Sequence, residues 1–288
     1  RLLKGRFELG EFDPDELVEW TKIPLSVVAS KEHKALARQM GREQMVLLQN
    51  RKNLLPLREK DARRIMVMGP NAADSTMLWG IYFGQPSHTV TPLEGIEARI
   101  GQVPFCQACD ITSLTVRQQR ILRSTESADG STTLQMEQTG EHTFTIDEIV
   151  KSARKSDIVI FIGGISPNLE KEQAKVDAAG FDGGDRTTIE LPQVQRDILK
   201  ALHKAGKKIV FVNCSGSAVA LTPELQTCDA ILQAWYAGEQ GGHALADVLF
   251  GDYNPSGKLA VTFYKDDSQL PPFDDYRMAG RTYRYFRG

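Results

Sequence analysis

The sequence is poor in the signatures that assign a chemistry at sight. No apolar run approaches the roughly 18–20 residues that a membrane-spanning helix needs. Cysteine is scarce, with Cys106, Cys109, Cys214 and Cys228 in 288 residues. Cys106-Gln-Ala-Cys109 has metal or redox spacing, but zinc needs a second pair or nearby histidines. Cys214 and Cys228 fall at or near strand positions and read as small buried apolar residues. The count neither demands nor excludes an oxidising compartment. The five histidines, His33, His88, His142, His203 and His243, are scattered, with no i, i+4 pair of the kind a helical metal site uses. Gly-x-Gly-x-x-Gly, the Gly-Lys-Ser/Thr phosphate loop and Gly-x-Ser-x-Gly are all missing, which counts against dinucleotide, nucleoside triphosphate and esterase chemistry. Asn213-Cys-Ser-Gly-Ser217 puts a serine after a strand, but without a partnered His and acid. An excess of one charge is missing too: 35 Lys+Arg against 37 Asp+Glu leaves −2, no reason to expect nucleic acid or an anionic membrane as partner. The first residues show neither an initiator Met nor a signal-peptide pattern. The opening Arg1-Leu-Leu-Lys-Gly5 and an end in mid-pattern at Tyr285-Phe-Arg-Gly288 point to a piece of a longer protein.

What is present is an ordinary globular composition, 41% hydrophobic and 25% charged, long enough for one large α/β domain or two small ones. Residues 1–30 show little periodicity. Phe7 to Pro14 reads as a turn-rich connector and Ser26 to Ser30 as extended. Ser30 caps a helix whose apolar positions, Ala35, Leu36, Met40, Met45, Leu47 and Leu48, run to about Asn50, and Leu54–Leu57 makes a short edge. Strands and helices then alternate. Strands are expected at 64–69, 103–106, 157–162, 208–213 and 230–235, and helices from Thr91 through Ile100, Thr145 to Arg154, Gln193 to Lys204 and Gly242 to Phe250. Residues 112–144 read as a polar, irregular insertion with room for a small hairpin. Near-continuous apolar strands between helices mean a largely parallel sheet covered on both faces.

The chemistry-bearing stretch is residues 158–192. A fully apolar strand breaks at Gly163-Gly164 and leads into a long polar loop with two acids, Glu170 and Glu172. In α/β proteins functional groups sit on loops past the carboxyl ends of strands. At i, i+2 in an extended segment two carboxylates share a side. Their repulsion raises one pKa, which suits a general acid, while Lys171 and Lys175 work the other way. A solvated charged loop accounts for the composition equally well.

Taken together, the segments resemble glycoside hydrolase family 3, the β-glucosidase/β-xylosidase family, in its second, α/β-sandwich domain. The resemblance covers nearly the whole chain. It is carried by Glu43–Leu57, by Ile65-Met-Val-Met-Gly-Pro-Asn-Ala72 and by Val90-Thr-Pro-Leu-Glu-Gly95. It continues in Glu170-x-Glu172 with Asp185-Arg186 and Leu191-Pro192. The longest and most specific stretches are Trp235-Tyr-Ala-Gly-Glu-Gln-Gly-Gly242 and Leu249-Phe-Gly-Asp-Tyr-Asn-Pro-Ser-Gly-Lys-Leu259.

The resemblance implies a flavodoxin-like three-layer sandwich over 31–288, preceded by a linker, 1–30, from an N-terminal (β/α)8 barrel. In such enzymes the barrel supplies the nucleophilic Asp and the sandwich the acid/base Glu. It favours Glu172 as that acid, with Glu170 as runner-up, and gives Asp185 and Arg186 the task of organising the loop. Trp79, Tyr82 and Gln85 match a segment beside the leaving-group subsite, where the aromatics would stack on sugar or pack in the core. It implies no cofactor or metal, a β-linked oligosaccharide as substrate, and a periplasmic or extracellular location. Family N-acetylglucosaminidases often lack this domain, so a Glu-bearing loop argues for a glucosidase or xylosidase. Without the nucleophile the chain alone is expected to be inactive. The rival readings are a non-catalytic carbohydrate-binding or scaffold domain and a nucleotide-binding flavodoxin-like domain.

Overall fold

A computed structural model of the chain describes residues 1–126, 132–170 and 176–288. Its helices are α1 (Leu2–Glu8), α2 (Lys31–Gln44), α3 (Pro92–Ile100), α4 (Ile146–Ser152), α5 (Gln193–Lys204), α6 (Glu224–Thr227), α7 (Gly241–Leu249) and α8 (Thr282–Tyr285). Its strands are β1 (Val46–Asn50), β2 (Ile65–Met68), β3 (Phe105–Cys106), β4 (Thr115–Glu126), β5 (Thr132–Thr143), β6 (Ile158–Gly164), β7 (Phe181–Asp182), β8 (Asp185–Arg186), β9 (Lys208–Cys214) and β10 (Ala230–Gln233).

Six strands form the central sheet in the order β1-β10-β9-β6-β2-β3. All neighbours are parallel except β1, which runs antiparallel along β10. Every residue of β6 is buried, and its side chains alternate between two cores. Ile158, Ile160 and Ile162 face a layer that includes Ile96 of α3 and Ala244, Leu245, Val248 and Leu249 of α7. Val159 and Phe161 face Ile149 of α4 and Ile198, Leu199 and Leu202 of α5. Burial on both faces is why the strand sequence is apolar without a break. The result is the largely parallel sheet between helix layers that the sequence implies.

The local signals behave as their chemistry requires. Ser30 accepts from the His33 amide at the start of α2. Thr91 with Glu94, and Thr145 with Glu148, form capping boxes at α3 and α4. Helices α3 and α7 meet at Gly95 and Gly242, where a Cβ on Gly95 would lie 2.0 Å from the Gly242 carbonyl oxygen.

Three expectations differ from the structure. The helix expected to reach Asn50 ends at Gln44, and Val46–Asn50 is an edge strand. Leu47 and Leu48 pack against opposite cores, so the adjacent apolar residues belong to a two-sided strand, and pairing with β10 overrides helical spacing. The edge expected at Leu54–Leu57 is a loop, in which Leu55 exchanges two 2.9 Å hydrogen bonds with the Asn50 side chain. Residues 1–30 hold α1 and short 3-10 turns, including one at Leu25–Val27 where extended chain was expected. The insertion is a long antiparallel hairpin, β4 with β5, whose mostly polar strands give no apolar alternation to read.

Candidate functional site

Loops after β2, β6, β9 and β10 converge at the carboxyl edge of the sheet. Two glycines let β6 end there. Gly164 has φ +103°, and a Cβ on it would sit 2.2 Å from the Cys214 carbonyl oxygen. A Cβ on Gly163 would sit 2.3 Å from Gln195 Oε1. That oxygen accepts from the Gly164 amide, while Nε2 donates to the carbonyls of Gly164 and Ile111, each at 2.8 Å. Gln195, on α5, is completely buried and fixes the strand end to the loop after β3. Asn71 does the same from the β2 side, donating to the carbonyls of Gly163 and Ile165.

The chain then turns through Pro167–Leu169 to Glu170, whose amide bonds back to the Ser166 carbonyl. This is a turn up to Glu170; the stretch from there to Glu172, on which the shared-side argument rests, lies outside the described residues. Glu170 is partly buried and fully engaged. Ser217 Oγ donates to Oε1 at 2.5 Å. Tyr236 Oη donates to Oε2 at 2.5 Å, and the Gly216 amide reaches the same oxygen at 3.3 Å. Burial, then the Glu170 charge and its hydrogen bond, push the Tyr236 hydroxyl far up, so it stays a donor.

The donors are themselves fixed. Buried Asn213 donates to Gln233 Oε1, and Gln233 Nε2 donates to Ser215 Oγ at 3.0 Å, which holds the turn that presents Gly216 and Ser217. Arg186 Nη1 reaches Ser217 Oγ at 3.2 Å and the Ala218 carbonyl at 2.6 Å, and Nη2 bonds the Glu190 carbonyl at 3.4 Å. Burial pulls the guanidinium pKa down and the nearby Glu170 charge holds it up. Arg186 thus stands behind the ligands of Glu170.

The other candidates divide. Glu172 lies outside the described residues, as do Lys171 and Lys175. Asp185 is exposed on β8. Trp79 is half-buried, packs against the core that contains α7, donates from Nε1 to Thr89 Oγ1 at 2.7 Å and meets the Phe83 ring at 4.8 Å. Tyr82 is 85% exposed with φ +56°, and Gln85 is also exposed. Asn168 Nδ2 bonds Thr76 Oγ1 at 3.2 Å and ties this loop to that of Glu170. Among the described residues no group of three or more His, Cys, Asp or Glu could hold a metal ion.

Sequence reasoning missed Tyr236, Ser217 and Gln195. Tyr236 lies inside the Trp235–Gly242 stretch and Ser217 inside Asn213–Ser217. Those stretches stood out in the sequence, but nothing in it shows that both fold onto one carboxylate.

The arrangement is an α/β three-layer sandwich with an acid-bearing loop fastened at the carboxyl edge of its sheet. The model for the glycosyl hydrolase family 3 C-terminal domain matches residues 45–287, and the chain belongs to that family. It is 38% identical to a xylan 1,4-beta-xylosidase of Xylanibacter ruminicola, over 99% of this chain and 47% of the relative. It is 35% identical to a periplasmic beta-glucosidase of Salmonella typhimurium, over 88% of this chain and 31% of the relative. A solved GH3 exo-beta-xylosidase (XlnD), in complex with a xylobiose aziridine activity-based probe, superposes with a TM-score of 0.75 at 26% identity. That match covers the whole of this chain and 34% of the other. The chain therefore spans less than half the length of these relatives.

Proposed function

We propose that this chain is the sandwich domain of a retaining β-glycosidase of the xylosidase or glucosidase type, and that it contributes the general acid/base to hydrolysis of β-linked oligosaccharides. Glu172 is the acid. The observation that carries this reading is the state of Glu170. Both its oxygens accept hydrogen bonds from donors that are themselves held, so it serves as an anchor for the loop. That leaves the second carboxylate of the pair for proton transfer. A general acid must reach the glycosidic oxygen, and retaining chemistry needs a nucleophilic carboxylate about 5–5.5 Å away across the sugar.

The nucleophile belongs to a barrel domain preceding the linker, residues 1–30. Leu2, Leu3, Phe7, Trp20 and Leu25 of that stretch are exposed, as are Phe273 and Tyr276 near the other end. Apolar surface on this scale is what a further domain would cover. No helix among the described residues is long and apolar enough to cross a membrane. With a periplasmic β-glucosidase among the relatives, a periplasmic or extracellular location is the reading we adopt.

The test uses the polypeptide that carries both domains. Glu172→Gln should lower kcat/KM on xylobiose or cellobiose by about 10²–10⁴, the usual worth of general acid catalysis. It should lower it much less on a 2,4-dinitrophenyl glycoside, whose leaving group needs no proton. An unchanged rate on the disaccharide would leave the chain as a binding or scaffold domain. This chain alone should not turn over an aryl xyloside or glucoside.

A further inference from the structure

The net charge of −2 conceals a strong asymmetry between the two edges of the sheet. At the amino edge β2, β6 and β9 begin, antiparallel β1 ends, and helices α4 and α5 finish. The segments 51–53, 58–64, 150–157 and 203–208 border it. Together they hold twelve Lys and Arg against three Asp and Glu, in a chain with 35 of the first kind and 37 of the second. Backbone hydrogen bonds tie them into one row. The Asp157 amide donates to the Arg64 carbonyl and the Lys208 amide to the Asp157 carbonyl, each at 2.9 Å. The Asp229 amide then donates to the Ile209 carbonyl at 2.9 Å, and the Arg51 amide to the Asp229 carbonyl at 2.7 Å. At about 4.8 Å per strand, the row runs for roughly 19 Å across five strands.

The three acids are already engaged: Asp157 with Arg64 at 2.5 Å, Asp61 with Arg58 at 3.0 Å and Glu59 with Arg99 at 2.7 Å. Asp229 accepts from the Ile209 amide at 2.9 Å. Arg63, Lys155, Lys204 and Lys208 are exposed and make no ion pair among the described residues. Helix ends account for part of the excess, since cations complement the carbonyl ends of α4 and α5, but that effect fades within the last turn. Arg63 and Lys208 stand at strand starts. The chemistry of the edge narrows the partner. None of the four segments contains Phe, Tyr or Trp, so the edge offers no ring to stack a nucleic acid base or to enter a bilayer. Its uncompensated cations are mostly lysines, which act as point charges rather than as bidentate forks for phosphate. They follow the line of the sheet edge, and a line of charge complements a linear polyanion.

We infer that the amino edge of the sheet binds an acidic polysaccharide, one with uronate carboxylates along its chain. It holds the protein on that polymer while the opposite, carboxyl edge stays free for the acid-bearing loop. The choice of a polysaccharide among linear polyanions rests on the proposed function, since a glycosidase works among such polymers. The row of charge itself requires no nucleophile and no turnover.

The test titrates the polypeptide that carries both domains with polygalacturonate, and with poly(dT) and vesicles of equal parts phosphatidylserine and phosphatidylcholine for comparison. Polygalacturonate should bind saturably, and its affinity should fall at least about ten-fold between about 20 and 200 mM salt as counterions are released. Lys155→Glu combined with Lys208→Glu should weaken it about ten-fold or more at the lower salt, where exposed charges are least screened. Arg63→Glu is the second variant and should weaken it in the same direction. The control is Lys258→Glu combined with Lys265→Glu, the same charge change at exposed positions in the loops that bond Met45 and Thr222, which should leave the affinity within about two-fold. No saturable binding at the lower salt, equal weakening by the two double variants, or tighter binding of poly(dT) or of the vesicles would each overturn the inference. Binding is read without turnover, so its failure is separate from that of the acid assignment, which stands or falls on the rate of Glu172→Gln.

Discussion

Tyr236 Oη donates to Glu170 Oε2 across 2.5 Å, joining the segment after β10 to the loop after β6 over 66 residues of sequence. With Ser217 on the other oxygen, the loop is clamped at its first acid. Tyr236→Phe removes one donor and leaves Oε2 with the Gly216 amide alone. A hydrogen bond to a charged group contributes about 1.5–3 kcal/mol. We expect a loss near the lower end, since Glu170 is only partly buried. It should appear as faster amide exchange at Leu169 and Glu170, with core amides of β6 unchanged. Exchange that is equal in the two proteins would mean the bond does not hold the loop.

Gln195 carries more than its place on an amphipathic helix suggests. It satisfies the amide and carbonyl of Gly164 and the carbonyl of Ile111 in a site sealed from water. Gln195→Leu keeps the volume and strands those groups. At about 1–3 kcal/mol for each buried group left unpaired, the loss should exceed ~3 kcal/mol. Urea unfolding measures it directly, and a loss below ~1 kcal/mol would show that the groups find other partners.

The contrast between Gln195 and Tyr236 shows what the sequence holds and what it does not. The sandwich was legible because β6 and β9 are apolar on both faces and because Thr91-x-x-Glu94 and Thr145-x-x-Glu148 mark helix starts locally. Glu170 was legible as an acid past a strand. Its role was not, because its donors come from residues 216, 217 and 236, and convergence of three loops is a property of sheet order rather than of spacing. Gln195 reads as one more polar position on a helix until Gly163 and Gly164 bring the backbone beside it. The helix drawn to Asn50 failed for a related reason: Leu47-Leu48 fits both periods, and only the presence of β10 decides between them.

Gly164→Ala tests the strand end itself. At φ +103°, with the Cys214 carbonyl oxygen 2.2 Å from the new Cβ, there is both backbone strain and a clash with main chain that cannot rotate away. We expect a loss of about 3 kcal/mol or more. Gly101 is the control. It also has positive φ, +83°, with ψ 179°, but nothing lies within 4 Å of its would-be Cβ, so Gly101→Ala should cost about 1–3 kcal/mol of backbone strain and no clash. Equal losses at the two positions would mean that the close approach to β9 contributes nothing.

The buried thiols set an alkaline limit. Burial pushes Cys214 and Cys228 up to about 12 and raises Cys109 as well. In the unfolded chain a thiol ionises near pH 8.5. Above that pH the unfolded state binds fewer protons than the folded one, so stability falls as pH rises from about 8.5 towards 12, by up to ~1.4 kcal/mol per pH unit for each thiol. Stability from these groups is fully present below pH 8.5. Urea unfolding under reducing conditions at pH 8 and pH 10.5 should show the fall, and Cys228→Ala, despite its own cavity cost, should make the pH slope shallower. A slope unchanged in that variant would assign the alkaline loss to other groups. Iodoacetamide at pH 8 gives the matching kinetic result. Partly exposed Cys106 should label first, with Cys109, Cys214 and Cys228 labelling only as urea opens the sheet.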